Sequence, residues 1–208
     1  MNADNSTQHT TQQAPRTQPK IPRTIWVLVG AAFIIALGYG LIAPVLPQFA
    51  GSFGVSMAAA GAVISIFAFA RLIGAPGAGR LVDRLGSRPI YLTGLLIVAA
   101  STFFVAFAQA YWQILALRFI AGFGSTMFTL SAQALIVRVT HPSIRGRANA
   151  LYASAFLVGN VVGPIIGAAL SFLGFRAPFV IYGIAVAGAA VAVGALTQPK
   201  PGSEPLPA

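Results

Sequence analysis

Of the 208 residues, 57% are hydrophobic and 8% are charged, with a mean hydropathy of +0.81; soluble domains carry about 25% charged residues, so lipid and not water is the expected solvent. With no cysteine, the chain excludes disulfides, thiol catalysis and Cys metal sites; with two distant histidines and three acids, no metal or acid–base centre, no enzyme and no cofactor is expected. The formal charge of +10 would suit nucleic acid if it were clustered on one domain, but the basic residues are spaced between apolar runs, as membrane topology requires.

Residues 1–23 are polar and rich in Thr, Gln and Pro, which predicts a disordered cytoplasmic tail. Six apolar stretches follow, at about 25–47, 56–79, 89–109, 112–137, 147–173 and 178–197. Each reaches or approaches the ~20 residues that cross a bilayer as a helix. Backbone groups in hydrocarbon must be satisfied internally, so helices are expected and not open strands. The first stretch is too long for a signal-peptide core and has no obvious cleavage pattern. Residues 198–208 are Pro-rich and polar, and a second disordered tail is expected there. One side of the predicted bundle collects Arg16, Lys20, Arg23, Arg80, Arg84, Arg88, Arg138, Arg145, Arg147 and Lys200, against Arg176 alone on the other. Both termini are therefore expected in the cytoplasm, with Trp26, Tyr111 and Trp112 at span ends as interfacial aromatics. The fold class expected is an all-α membrane protein.

Between the second and third spans lies Gly79 to Arg88, reading GRLVDRLGSR. Asp83 is the only acid outside the two tails, and Arg80, Arg84 and Arg88 form the densest basic cluster. We expect a tight turn here. Gly79 would let helices approach closely, Gly86 would permit the turn, and Asp83 would pair with an Arg or cap a helix N-terminus. Shifting the chain by 88 residues superposes Pro76, Gly79, Leu85, Gly86 and Arg88 on Pro164, Gly167, Leu173, Gly174 and Arg176. Such agreement arises by chance among common membrane residues, or from a duplicated three-helix unit. Three spans is an odd number, so a second copy would be inverted, as in secondary transporters. Asp83 and Arg84 become Ser171 and Phe172 in the echo.

Pro44 and Pro47 should break the first helix near its outer end. Arg118 lies about seven residues inside the fourth span, where a charge costs about 2.5–3.5 kcal/mol. It should face the bundle interior or a wet cavity, or else snorkel outward across about 10 Å. Arg71 either snorkels inward or lines a cavity. In the fifth span, Gly159, Gly163 and Gly167 recur every four residues, a pattern that lets helices pack backbone to backbone, and Pro164 permits bending. Tyr39 and Asn160 are polar residues of the spans. Each suits a substrate path, and each suits a hydrogen bond to a neighbouring helix.

These segments resemble the major facilitator superfamily. Gly79, Leu81, Asp83, Arg84, Gly86 and Arg88 resemble its signature loop, with Ser87 in place of a usual basic residue. Arg118 to Gly124 is similar to its fourth-helix motif, with Ala121 at the usual Gln. Leu37-Gly38 with Pro44 to Pro47, and Gly159 to Ala168, resemble the drug:proton antiporter branch, with Ala168 replacing a Gly. The resemblance implies half of a major facilitator fold: six transmembrane helices as two inverted three-helix repeats, matching the first half of a twelve-span unit. It also implies proton-coupled efflux of lipophilic small molecules or drugs by alternating access, in a bacterial plasma membrane. In it, residues 79–88 act as an inner gate and Arg118 in proton coupling; Tyr39, Arg71 and Asn160 are substrate-path candidates from their polarity within the spans and not from the resemblance. The expected partners are the bilayer, a small-molecule substrate and protons, and no nucleic acid. The alternative is a truncated or split half-transporter without autonomous transport, acting only with a second six-helix half or a second copy of itself. No Asp or Glu lies within any predicted span, so a titrating acid would have to come from elsewhere.

Overall fold

The computed structural model describes residues 21–197; the two tails expected to be disordered lie outside the described residues. Six helices carry the fold: α1 (Arg23–Gly51), α2 (Met57–Leu85), α3 (Ser87–Val105), α4 (Tyr111–Val139), α5 (Arg145–Ala169) and α6 (Ala177–Leu196). Single 3-10 turns precede and follow α5, at Pro142–Ile144 and Ser171–Leu173. All six helices are long and apolar enough to cross a membrane, and no strand occurs among the described residues.

Local chemistry sets the helix limits. Ser56 caps α2 by accepting the Ala59 amide at 3.2 Å. Gly86 ends the same helix with φ +89°, a conformation that a side chain rarely adopts. Gly174, its counterpart 88 residues on, turns the chain into α6 with φ +80°. Two boundaries differ from the sequence reading. The segment from Gly79 is no extended turn, because α2 continues to Leu85 and only Gly86 separates it from α3. Arg-Leu-Val-Asp-Arg-Leu contains no helix breaker, so the helix carries Asp83 and Arg84 beyond its apolar part. Likewise α1 runs through Pro44 and Pro47 to Gly51. Prolines are tolerated in membrane helices where neighbouring groups satisfy the freed backbone.

The duplication suggested by five identities extends to the whole bundle. α4 begins and ends 88 residues after α1, at Tyr111 and Val139 against Arg23 and Gly51. Packing follows the same exchange: α1 lies on α5 and α6 as α4 lies on α2 and α3, and α3 packs on α6. One identity, Arg88 with Arg176, has a structural cause. Arg88 at the start of α3 donates from Nη2 to the Gly194 carbonyl at 2.7 Å and from Nε to Thr197 Oγ1 at 3.2 Å. Arg176 at the start of α6 donates from Nη1 to the Ala106 carbonyl at 2.9 Å and from Nη2 to the Ala108 carbonyl at 3.4 Å. Each helix of the α3–α6 pair thus places a cation on carbonyls at or just beyond the C-terminal end of the other. Those carbonyls lack intrahelical donors and carry the negative end of the helix dipole.

Several of the close helix contacts are backbone to backbone. A Cβ on Gly159 would lie 2.7 Å from the Phe33 carbonyl oxygen and 2.8 Å from the Leu37 nitrogen. One on Gly163 would meet the Leu37 carbonyl, and one on Gly167 would stand 3.0 Å from the Leu41 oxygen. Three glycines at four-residue spacing therefore seat α5 on α1. Gly122 seats α4 on α2 in the same manner, since a Cβ there would lie 2.6 Å from the Phe67 carbonyl oxygen. Gly79, expected at a close approach, has open space around its Cα. The reason is its place near the end of α2, past the stretch around Phe67 and Ala70 where α4 crosses.

Overpacking a close contact costs about 1–3 kcal/mol, so Gly163→Val should lower the midpoint of thermal unfolding in micelles. Gly188→Val, at a position with open space around it, should leave the midpoint unchanged. Arg88→Ala should release the end of α6, seen as faster hydrogen exchange at residues 194–197. Losing hydrogen bonds from a charged donor costs about 1.5–3 kcal/mol each, and Arg88→Lys, without the planar fork, should recover only part of the protection.

Candidate functional site

A cavity of about 220 Å³ lies inside the bundle, bordered chiefly by α1, α2, α4 and α5. Its position follows from the packing. α1 is held to α5 and α4 to α2, whereas α2 and α5 scarcely touch each other. The space between those two pairs is what remains.

Arg118 points into this space. It is 5% exposed, and its guanidinium carbon sits 4.3 Å from the centre of the Phe67 ring. Its Nε has no hydrogen-bond partner. Arg71, on the helix that carries Phe67, approaches the same ring at 6.0 Å, and Tyr39 packs against it at 5.7 Å between ring centres. Arg71, Tyr39 and Asn160, proposed from sequence for a substrate path, all line the cavity with Arg118. Asn160 donates its amide to the Phe156 carbonyl of its own helix at 3.0 Å.

Three further residues complete the walls. Phe67 carries both guanidinium contacts. Tyr182 of α6 covers Gly38 and donates its hydroxyl to the Ile35 carbonyl at 3.1 Å. Thr102 of α3 lines the cavity at 1% exposure, with a hydroxyl that has no partner. Sequence reasoning passed over all three. A search for hydroxyls in mid-span would have found Thr102; nothing in the sequence separates Phe67 from the other 14 of the chain's 15 phenylalanines.

The cavity borders a wider groove of about 420 Å³, which shares Arg71, Thr129, Phe156 and Asn160 with it and adds Gln133 and Tyr152. Gln133 lies late in α4 and Tyr152 early in α5, so the groove leads toward the end that carries Arg138, Arg145 and Arg147.

The residues of the signature segment do not converge on the cavity. Asp83 and Arg84 are exposed on the last turn of α2, and Asp83 has neither an ion pair nor a hydrogen bond among the described residues. The pairing or capping expected for Asp83 is therefore absent there. Its carboxylate sits at a helix C-terminus, the unfavourable end of the dipole. Arg88 is directed to α6. Of the antiporter-like residues in α5, Gly159, Gly163 and Gly167 are consumed in packing on α1, and Pro164 lies inside the helix. The aromatics near span ends divide: Trp26 and Trp112 are exposed, while Tyr111 donates to the Ala59 carbonyl at 2.6 Å.

Asp83 is the sole acid among the described residues. It stands twelve residues after Arg71 on one helix, about 18 Å along the axis. The cavity is therefore cationic, aromatic and free of carboxylate. Outside it, α2 and α5 leave much of their surface uncovered: Leu72, Leu157, Val161 and Ile165 are each more than 60% exposed.

Comparison with known proteins agrees with this architecture. Residues 28–208 match the family model for the Major Facilitator Superfamily. The chain is 34% identical over 194 residues to the multidrug resistance protein MdtG of Enterobacter lignolyticus, covering 91% of this chain and 46% of that protein. It is 34% identical over 167 residues to MdtG of Escherichia fergusonii, covering 78% and 41%. Among solved structures it superposes on the human organic anion transporter MFSD10 (TETRAN) with a TM-score of 0.74 at 22% identity, over 87% of this chain and 48% of that one. The chain spans about half the length of the relatives it matches. With six inverted-repeat helices, a central cavity and a family match over almost all the described residues, the chain belongs to the Major Facilitator Superfamily.

Proposed function

We propose that this chain is a secondary transporter that exports lipophilic small molecules or drugs by alternating access, with proton exchange as the driving reaction. The observation that supports this best is the central cavity, with aromatic walls and a buried guanidinium, bordering a groove that leads to the Arg-rich end. Positive charge marks the cytoplasmic side, so the groove faces the cytoplasm, both termini lie there, and the membrane is the bacterial plasma membrane. The multidrug resistance names of the MdtG relatives suit the aromatic lining. Arg118 is the residue through which proton movement would couple to the cavity. Asp83 and its neighbours, exposed at the end of α2, act as the inner gate.

A second reading has its own support: the chain works only with another six-helix half, or with a second copy of itself. The uncovered apolar surfaces of α2 and α5 favour it, as does the half-length match.

Reconstitution into proteoliposomes with an imposed pH gradient tests the first reading. Protonophore-sensitive movement of a lipophilic fluorescent dye is expected. A correctly folded chain that moves none of the dyes tried would defeat autonomous transport and leave the second reading. In whichever assembly transports, Asp83→Asn should slow flux by about tenfold, equivalent to about 1.4 kcal/mol in the barrier; undiminished flux would remove Asp83 from the mechanism. For the second reading, Leu157→Cys places one thiol in a chain that has none. Cross-linking in native membrane should then capture a membrane partner at that face, and a solely monomeric product would count against it.

A further inference from the structure

Arginine stands at the start of four helices: Arg23 at α1, Arg88 at α3, Arg145 and Arg147 at α5, and Arg176 at α6. A helix N-terminus carries the positive end of the dipole, so a cation there is unfavourably placed. At α3 and α6 the strain is relieved, because Arg88 and Arg176 reach carbonyls at the end of the partner helix. At α1 and α5 it is not. Neither helix has a side-chain cap or an acid in its first turn. Arg23 and Arg147 are exposed, with no hydrogen bond or ion pair among the described residues. These two starts also lie together. Gly159 meets the α1 backbone at Phe33 and Leu37, Gly163 at Leu37 and Leu41, and Gly167 at Leu41, so the two helices run parallel.

Beside them is a groove of about 290 Å³ lined by Ile21, Trp26, Arg147, Ala150, Leu151 and Ser154. Arg147, Leu151 and Ser154 share one face of α5, and the groove follows that face for about 10 Å. It passes from a free guanidinium, beside the exposed indole of Trp26, to an aliphatic floor. Indoles favour the depth where head groups meet acyl chains. We propose that this groove seats an anionic phospholipid of the leaflet at the Arg-rich end, with its phosphate on Arg147, its glycerol region against Trp26 and an acyl chain over Leu151. Guanidinium binds phosphate oxygens through paired charge-assisted hydrogen bonds, and basic pockets between transmembrane helices suit such head groups. A choline or ethanolamine head would bring its own cation toward Arg23 and Arg147, so net negative charge is selected. The segment before α1 is not the occupant, since residues 1–20 carry Arg16 and Lys20 against Asp4 alone. The site is independent of the central cavity and of transport.

The two tryptophans make the test local, because Trp112 begins α4 at the opposite end. The full chain with Trp112→Phe keeps Trp26 as its one indole. It is placed in phosphatidylcholine nanodiscs that contain either phosphatidylglycerol or phosphatidylcholine brominated near the head of the acyl chain, which quenches neighbouring indoles. At equal mole fraction the brominated phosphatidylglycerol should occupy the groove about fivefold more, the ratio that about 1 kcal/mol for one interfacial arginine represents. Arg147→Gln should bring the two lipids to parity. Arg138→Gln removes an exposed arginine at the same end but outside the groove, and should keep the preference. In the converse chain, Trp26→Phe, the remaining Trp112 should show none. Equal quenching of Trp26 by both lipids would overturn the site, and that comparison needs no change at Arg147. An equal loss in Arg138→Gln and Arg147→Gln, or the same preference at Trp112, would make the attraction diffuse and overturn it too. Absence of quenching by either lipid would mean that a protein surface covers the groove, which would equally overturn the lipid assignment.

Discussion

The backbone contact between α5 and α1 is the constraint from which the rest of this bundle follows. In lipid, apolar side chains gain little by turning away from their surroundings, so helices associate through close packing and not through the hydrophobic effect. Gly159, Gly163 and Gly167 bring α5 against the α1 backbone from Phe33 to Leu41. Gly122 does the equivalent between α4 and α2. Two tightly joined pairs result, and α3 and α6 tie them together from behind through the reciprocal Arg88 and Arg176 contacts. Nothing of that kind joins α2 to α5. The cavity lies where close approach, present in the α1–α5 and α2–α4 pairs, is omitted between α2 and α5.

The repeat also separates the arginines by purpose. Arg88 and Arg176 occupy corresponding positions and make corresponding bonds, so they serve the fold in both copies. The two cavity arginines have no such counterparts. The position 88 residues after Arg71 is Gly159, which packs on α1, and the position 88 before Arg118 is Gly30, which has open space around it. Two-fold symmetry builds the scaffold, and the cationic wall of the cavity arises where that symmetry is broken. Asp83 and Arg84 follow the same rule: Ser171 and Phe172 stand in their places.

Much of this was legible in the chain because lipid imposes strong rules. Apolar length gave the six helices, four-residue glycine spacing gave the α5 seam, and the cost of a buried charge directed Arg118 inward. The end of α2 was misread because apolarity stops near Gly79 while helical propensity does not, and hydropathy measures only the first. The prolines of α1 were misread for a related reason, since a rule about isolated helices neglects neighbours that support the backbone. Gly79 was assigned a packing role by analogy with other glycines, yet whether a glycine meets another helix depends on where the axes cross. Phe67 and Thr102 were missed because their significance lies in which side chain from another helix they face, and no local pattern encodes that.

The distribution of tight and loose contacts bears on how the site would change shape. Opening along the α1–α5 or α2–α4 seam would separate backbones that glycine has brought into contact, forfeiting dense packing with no water to replace it. Between α1 and α2, and between α4 and α5, contact is sparse. These loose seams bound the cavity. Pro76 and Pro164 occupy corresponding places in α2 and α5, the two helices that flank it and that bury least of their own surface. Each proline removes one hydrogen bond from its helix and lowers the cost of bending there. Bending of α2 and α5 at these prolines would therefore widen or close the space beside Arg118 most cheaply where it leaves the glycine contacts of each helix with its partner closed.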